Sequence, residues 1–125
     1  MVQDGDDLKI REVKDLLGAE LVNGSERLEE EVYSAFGSDM MSEVLAYVQD
    51  QGVLLTGLVN EQIIRTAAMM NMSCIIMVRG KQPSNEMIKM ANENDVVLLL
   101  TPLTLYEASG ILYTNGLNPA GHRYV

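Results

Sequence analysis

Few residues in this chain could start a reaction. The single histidine, His122, stands near the carboxyl end. One remote imidazole removes ordinary histidine-based triads and most metal sites. The single cysteine, Cys74, lies in the apolar run "SCIIMV" (73–78) with no activating neighbour. That setting disfavours the thiolate. Neither GxxxxGK[ST] nor GxGxxG occurs, so the two common phosphate loops are missing. Carboxylates cluster in Asp4-Gly5-Asp6-Asp7 and Glu29-Glu30-Glu31. The first lacks the later positions of a calcium loop and reads as a disordered terminus. The second reads as a solvated edge. Neither sets a pair for general acid and base work. The sequence thus offers no catalytic residue, no metal ligand set and no cofactor site, and a non-enzymatic role is expected.

What it offers instead is position. Gly37-Ser38-Asp39, Thr56-Gly57, Arg79-Gly80-Lys81 and Thr101-Pro102 each follow a short apolar run. In a parallel α/β sheet, ligands sit at the carboxyl ends of strands, where helix N-termini present backbone N–H groups. Hydroxyls, glycines and two cations would converge there on one rim, a composition suited to a small polar or anionic ligand. The candidate ligand-binding residues are Ser38, Asp39, Thr56, Gly57, Asn60, Arg79, Gly80, Lys81, Thr101 and Thr104. Strand ends carry turn residues in any case. Arg79-Gly80-Lys81 therefore reads either as an anion-binding loop or as a solvated turn.

The elements that must position these residues are clearest in the second half. "GVLLTG" (52–57) precedes "NEQIIRTAAMMN" (60–71), "SCIIMV" precedes "SNEMIKMANEN" (84–94), and "DVVLLL" (95–100) precedes "TLYEASGILYTN" (104–115). Each apolar run is too short for a helix and does not alternate, as suits strands covered on both faces. Right-handed crossovers put the helices on one side of such a sheet unless the strand order reverses. Thr104 and Glu107 form a capping box, with Leu103 and Ala108 as its staple. Asn60 and Ser84 read as helix caps. Gly116 closes the last helix, and Gly110 inside it suggests close packing.

The first half is less regular. "IREVKDLL" (10–17) fits a short helix with Ile10, Val13, Leu16 and Leu17 inward. "AELVNG" (19–24) reads as a strand with an Asn-Gly turn, and a second strand is expected near 32–37. "SDMMSEVLAYV" (38–48) is an amphipathic helix with Met40, Met41, Val44, Leu45 and Val48 on one face. Ser38 or Asp39 is its expected cap. The tail "LNPAGHRYV" shows no pattern. The division expected is a disordered terminus over 1–7, one domain over 8–117 and a tail over 118–125.

Bulk properties narrow the function. A chain of 125 residues suits one core. Net charge is -9 and the pI near 4.4, which disfavours nucleic acid as a partner. "MVQDGDD" is no signal peptide, no apolar run reaches the roughly 18 residues of a membrane span, and the lone cysteine suits a reducing, cytoplasmic setting. Nine methionines carry much of the apolar load. Most are read as core, although Met69, Met70 and Met72 could form a docking patch.

The order "DLLGAELVNG … SDMMSEVLAYVQDQGVLLTG … NEQIIRTAAMM … IIMVRGKQPSNEMIKMANENDVVLLLTPLTLYEASGIL" resembles the DRTGG domain, and the amino-terminal domain of HPr kinase/phosphorylase that shares its fold. The likeness runs over roughly residues 8–117. It implies a three-layer α/β domain with a mostly parallel central sheet, usually dimeric. Val59-Asn60 stands in place of the family's Asp-Arg, and Val78-Arg79-Gly80 in place of Thr-Gly-Gly, while Thr101 and Thr104 match its later threonine-rich turn. Similar modules join CBS domains in pyrophosphatases that respond to adenine nucleotides. The resemblance thus implies a non-catalytic regulatory or ligand-sensing homodimer, with a nucleotide or other small anion at the strand ends. The alternative is an assembly or scaffolding subunit docking on a redox or metabolic enzyme.

Overall fold

The computed structural model describes residues 8–48 and 52–119. The terminus over 1–7, with its acidic cluster, and the tail from 120 onward, with His122, lie outside the described residues. Along the chain come β1 (Leu8–Lys9), α1 (Ile10–Leu16), β2 (Glu20–Leu21), a 3₁₀ turn (Ser25–Arg27), β3 (Glu31–Val32), β4 (Ser34–Gly37) and α2 (Met41–Tyr47). Then follow β5 (Val53–Thr56), α3 (Glu61–Met69), β6 (Cys74–Met77), α4 (Asn85–Glu93), β7 (Val97–Leu100), α5 (Leu105–Thr114) and β8 (Asn118–Pro119).

The three non-alternating runs form the centre of the sheet as β5, β6 and β7, and every residue in them is buried. The strand order is β2-β7-β6-β5-β4-β8. All these pairings are parallel except β2 with β7. Val53, Cys74 and Val97 are in register, as are Leu55, Ile76 and Leu99. These side chains pack with Ile10, Val13, Leu17, Ala108 and Leu112, so α1 and α5 cover that face. Leu54, Ile75 and Leu98 point the other way, to Val44, Ile63, Ile64, Ala67, Met87 and Ala91 of α2, α3 and α4. The result is a three-layer α/β domain. Each fully buried Leu or Ile contributes about 1.5–3 kcal/mol relative to exposure, which makes this double-sided core the main source of stability.

Connectivity explains which helix lies where. From β4 to β7 the chain steps one way across the sheet, so right-handed crossovers put α2, α3 and α4 on one face. After β7 the direction reverses, because β8 returns to pair with β4. Helix α5 is therefore on the opposite face.

Several details differ from the sequence reading. The strand expected near 32–37 is divided at Tyr33. Its first part, β3, pairs with β1 in a separate antiparallel ribbon; its second, β4, joins the main sheet. Leu16, Met40 and Leu45, expected inward, are exposed. Helix α2 begins only at Met41 and its cap position is Met40, with no side-chain cap bond. Neither Ser38 nor Asp39 caps it, because both bond elsewhere. Gly110 does not serve close packing: a Cβ there would meet nothing within 4 Å. Asn118 and Pro119, read as patternless tail, form the edge strand β8.

A Cβ at Gly52 would lie 2.3 Å from the Ser34 carbonyl oxygen, a backbone atom that cannot move aside. Gly52→Ala should lower unfolding free energy by about 1–3 kcal/mol, measured by urea titration. Separately, the Glu29 carboxylate accepts from Lys9 Nζ at 3.1 Å and Arg11 Nε at 2.7 Å, tying the segment before β3 to β1 and α1. The Arg11 hydrogen bond, then that of Lys9, pulls Glu29 down from 4.5 to about 2. A carboxyl lowered on folding stabilises above its unfolded value and loses that contribution as pH falls through its folded one. Wild type should lose stability between pH 4.5 and about 2 by a step that Glu29→Gln lacks. Because the pair is exposed, the step is small, and 1 M salt should shrink it further.

Candidate functional site

The carboxyl ends of β4, β5 and β6 do converge, and they are held by side chains bonding to backbone. Ser38 N donates to the Leu55 carbonyl at 3.0 Å, continuing the strand pairing beyond β4. Its hydroxyl accepts from Met40 N at 2.9 Å and donates to Glu43 Oε1 at 2.8 Å. Asp39 Oδ1 accepts from Gly57 N at 2.7 Å and from Thr56 Oγ1 at 3.0 Å. Thr56 Oγ1 in turn accepts from Leu58 N at 3.2 Å. The amides after Thr56 are therefore already satisfied. The same holds after β7. Thr101, fully buried, donates its hydroxyl to the Leu17 carbonyl at 2.8 Å and accepts from Leu103 N at 3.3 Å.

The Arg79-Gly80 step is a tight turn with both residues at positive φ, 60° and 68°. Lys81 N returns to the Val78 carbonyl at 3.4 Å, the pattern of a type I′ turn. Glycine suits this geometry, whereas an arginine held left-handed costs roughly 1–2 kcal/mol. Both turn amides are engaged: Arg79 N donates to the Leu103 carbonyl at 2.7 Å and Gly80 N to that of Thr101 at 2.9 Å. The backbone is thus a clip to the loop before α5 and presents no free N–H pair to an anion. What the turn does present is charge. The Arg79 guanidinium lies over Gly57, where an added Cβ would be 3.1 Å from Nη2 and 3.4 Å from Asp39 Oδ2. Among the described residues, neither Arg79 nor Lys81 has a carboxylate within 4 Å.

Of the expected site residues, Ser38, Asp39, Thr56, Gly57 and Arg79 therefore meet, with Gly80 and Lys81 on the adjoining turn. Thr104 lies beyond them as the cap of α5, accepting from Glu107 N at 3.2 Å while Glu107 accepts its N–H at 3.0 Å. That backbone hydrogen bond holds the Glu107 carboxyl below its ordinary value. Asn60 caps α3, accepting from Ile63 N at 3.2 Å, and lines an open hollow of about 600 Å³ between the starts of α3 and α4. Cys74 is fully buried, and desolvation pushes its thiol up to about 12, so it is protonated and unreactive at neutral pH. No cluster of metal-ligating side chains occurs among the described residues.

A second concavity escaped the sequence reading. Between α5 and the β4–β8 edge runs a mostly apolar cleft of about 350 Å³. Its walls include Gly37, Tyr106, Ser109, Gly110, Tyr113 and Asn118. The available signal was "YEASGILY" (106–113), two tyrosines seven residues apart, hence on nearly one helix face.

The Asp39 clamp gives a direct test of how the rim is held. Asp39→Ala leaves Gly57 N without its carboxylate and should lower stability by about 1–3 kcal/mol. Hydrogen exchange at the Gly57 amide should quicken more than at Ile75 in the sheet centre. Equal protection in both proteins would show that Asp39 does not hold the rim.

The DRTGG domain family matches residues 12–119. A solved structure with the same fold is the CBS and DRTGG regulatory region of Clostridium perfringens pyrophosphatase, complexed with its activator diadenosine tetraphosphate. The two superpose with a TM-score of 0.69 at 20% identity, over 90% of this chain and 50% of that one. The chain thus spans about half the length of that structure. No curated protein matches it, and no described helix is long and apolar enough to cross a membrane. With the match extending from α1 to β8, the chain belongs to the DRTGG domain family.

Proposed function

We propose that this chain is a non-catalytic regulatory domain that works as a homodimer and senses a phosphate-bearing small molecule, a nucleotide in the first instance. The observation that carries this reading is the Arg79–Lys81 turn. A chain of net charge -9 presents there two cations with no carboxylate partner among the described residues. The arginine stands on left-handed backbone, where glycine would be more stable. An Arg fork and a Lys ammonium are apt phosphate partners. The surrounding hydroxyls and amides fix the shape of the rim. The pyrophosphatase region of like fold was solved with a dinucleotide activator, which favours a nucleotide over a simple anion. With one buried, protonated thiol and one tail histidine, the residues suit sensing better than turnover.

A second reading has its own observation. Met69 is 73% exposed, Met40 58% and Leu45 47%, although Met72 belongs to the core. Exposed apolar side chains of this kind favour an assembly subunit docking on a partner enzyme. The two readings separate by ligand response. In a thermal shift series with ATP, ADP and diadenosine tetraphosphate, the sensing reading expects a rise of roughly 5–10 °C at a hundredfold excess over Kd. Arg79→Gly should keep the ligand-free melting temperature at or above wild type while abolishing the rise. Flat melting curves at millimolar nucleotide would rule out the sensor and leave the docking subunit.

A further inference from the structure

The polar groups of the rim are occupied in holding it together; those of the α5 cleft are not. Ser109 Oγ, the Asn118 side-chain amide and the phenols of Tyr106 and Tyr113 have no hydrogen-bond partner among the described residues. The walls are otherwise apolar, with Ala35, Leu55 and Leu117 beneath. The cleft therefore combines an apolar floor with directional groups that the fold itself does not use.

Gly110 is the second observation. Glycine inside a helix is less stable than alanine, and packing would account for it, yet a Cβ there would touch nothing within 4 Å. The residue follows Tyr106 by four positions and precedes Tyr113 by three, so all three share one helix face. The tyrosines are 89% and 70% exposed. A bare strip of backbone thus lies between two phenol rings on the wall of the cleft.

We propose that this cleft binds the planar base of a nucleotide, a purine above all, whose phosphates extend toward Arg79. A flat ring can lie over the bare backbone at Gly110 and stack on tyrosine, a contact that works for any base. Asn118 offers a donor and an acceptor side by side, the pair that matches the edge of adenine. The volume, about 350 Å³, is in the range of small-ligand sites. Charge complementarity sets the direction. Gly37 in the cleft wall pairs with Leu55, and Gly57, under the Arg79 guanidinium, is two residues further along. One strand spacing and two residues of rise separate Gly37 from Gly57 by about 8 Å. Gly37 faces α5, where an added Cβ would meet Leu105 and Ser109, and Leu55, two residues before Gly57, packs on that same face. The proposal rests on the nucleotide-sensing reading and adds to it where the base goes.

The test is calorimetric titration of the full 125-residue chain with ATP, adenosine and tripolyphosphate. Gly110→Leu fills the cleft from an exposed helix position, so its melting temperature should match or exceed that of wild type. It should weaken ATP and adenosine roughly tenfold or more and leave tripolyphosphate unchanged. Tyr106→Ala with Tyr113→Ala should do the same, whereas Arg79→Gly should weaken ATP and tripolyphosphate but not adenosine. Equal affinity of ATP and tripolyphosphate for wild type, or ATP binding unaffected by Gly110→Leu, would overturn the cleft and leave the cation turn standing. Binding of none of the three would overturn both.

Discussion

A mostly parallel sheet whose three central strands have no exposed face constrains everything else in this domain. The side chains of β5, β6 and β7 are all buried, with α1 and α5 on one side and α2, α3 and α4 on the other. Such strands can carry polar groups only where they end. The backbone at those ends must also turn sharply into the next helix, and each buried N–H or carbonyl that leaves the ladder needs a new partner. The rim is where these two demands meet.

Their solution is local and repeated. Thr56 and Thr101 stand at the ends of β5 and β7, on either side of β6, and each accepts the N–H two residues on, from Leu58 and Leu103. Asp39 reaches from the end of β4 to the Gly57 amide at the end of β5. The Arg79-Gly80 turn donates its amides across to Thr101 and Leu103. Groups that resemble a binding site by composition are thus largely consumed in sealing the sheet. The strong hydrogen bond of a carboxylate to an amide makes Asp39 a structural clamp, while Arg79 and Lys81 stay exposed without an ion pair among the described residues.

This division explains what was legible in the sequence. The central strands and the helices between them follow from short non-alternating runs and from caps at Asn60, Ser84 and Thr104, whose side chains do accept the expected amides. The family pattern was legible for the same reason, since it rests on those runs. The short strands were not: a two-residue strand such as β1 or β8 has no period to read. Ser38 and Asp39 looked like caps because their side-chain oxygens can accept equally from a helix N–H or a neighbouring strand, and nothing local decides between them. Asn23 shows the same ambiguity. Read as a turn residue, it grips β7 by accepting from Leu98 N at 2.8 Å and donating to the Val96 carbonyl at 3.0 Å. The cleft was hidden because it depends on the return of β8 to β4, a long-range choice of strand order.

That return also gives α5 its particular place. Its N-terminal turn follows the loop that accepts the Arg79 amide, and Leu105 and Ser109 would be the nearest neighbours of a Cβ at Gly37. Its far end delivers β8 to the sheet edge. One helix therefore touches the cation turn at its start and walls the cleft along its length. Its inner face is fixed by Ala108 and Leu112, both fully buried, while the outer residues Tyr106, Gly110 and Tyr113 add nothing to the core. The inner face of α5 thus packs the core, and Leu112 on that face also reaches the floor of the cleft. Substitutions on the outer face therefore leave the core untouched, since Tyr106, Gly110 and Tyr113 pack against none of it.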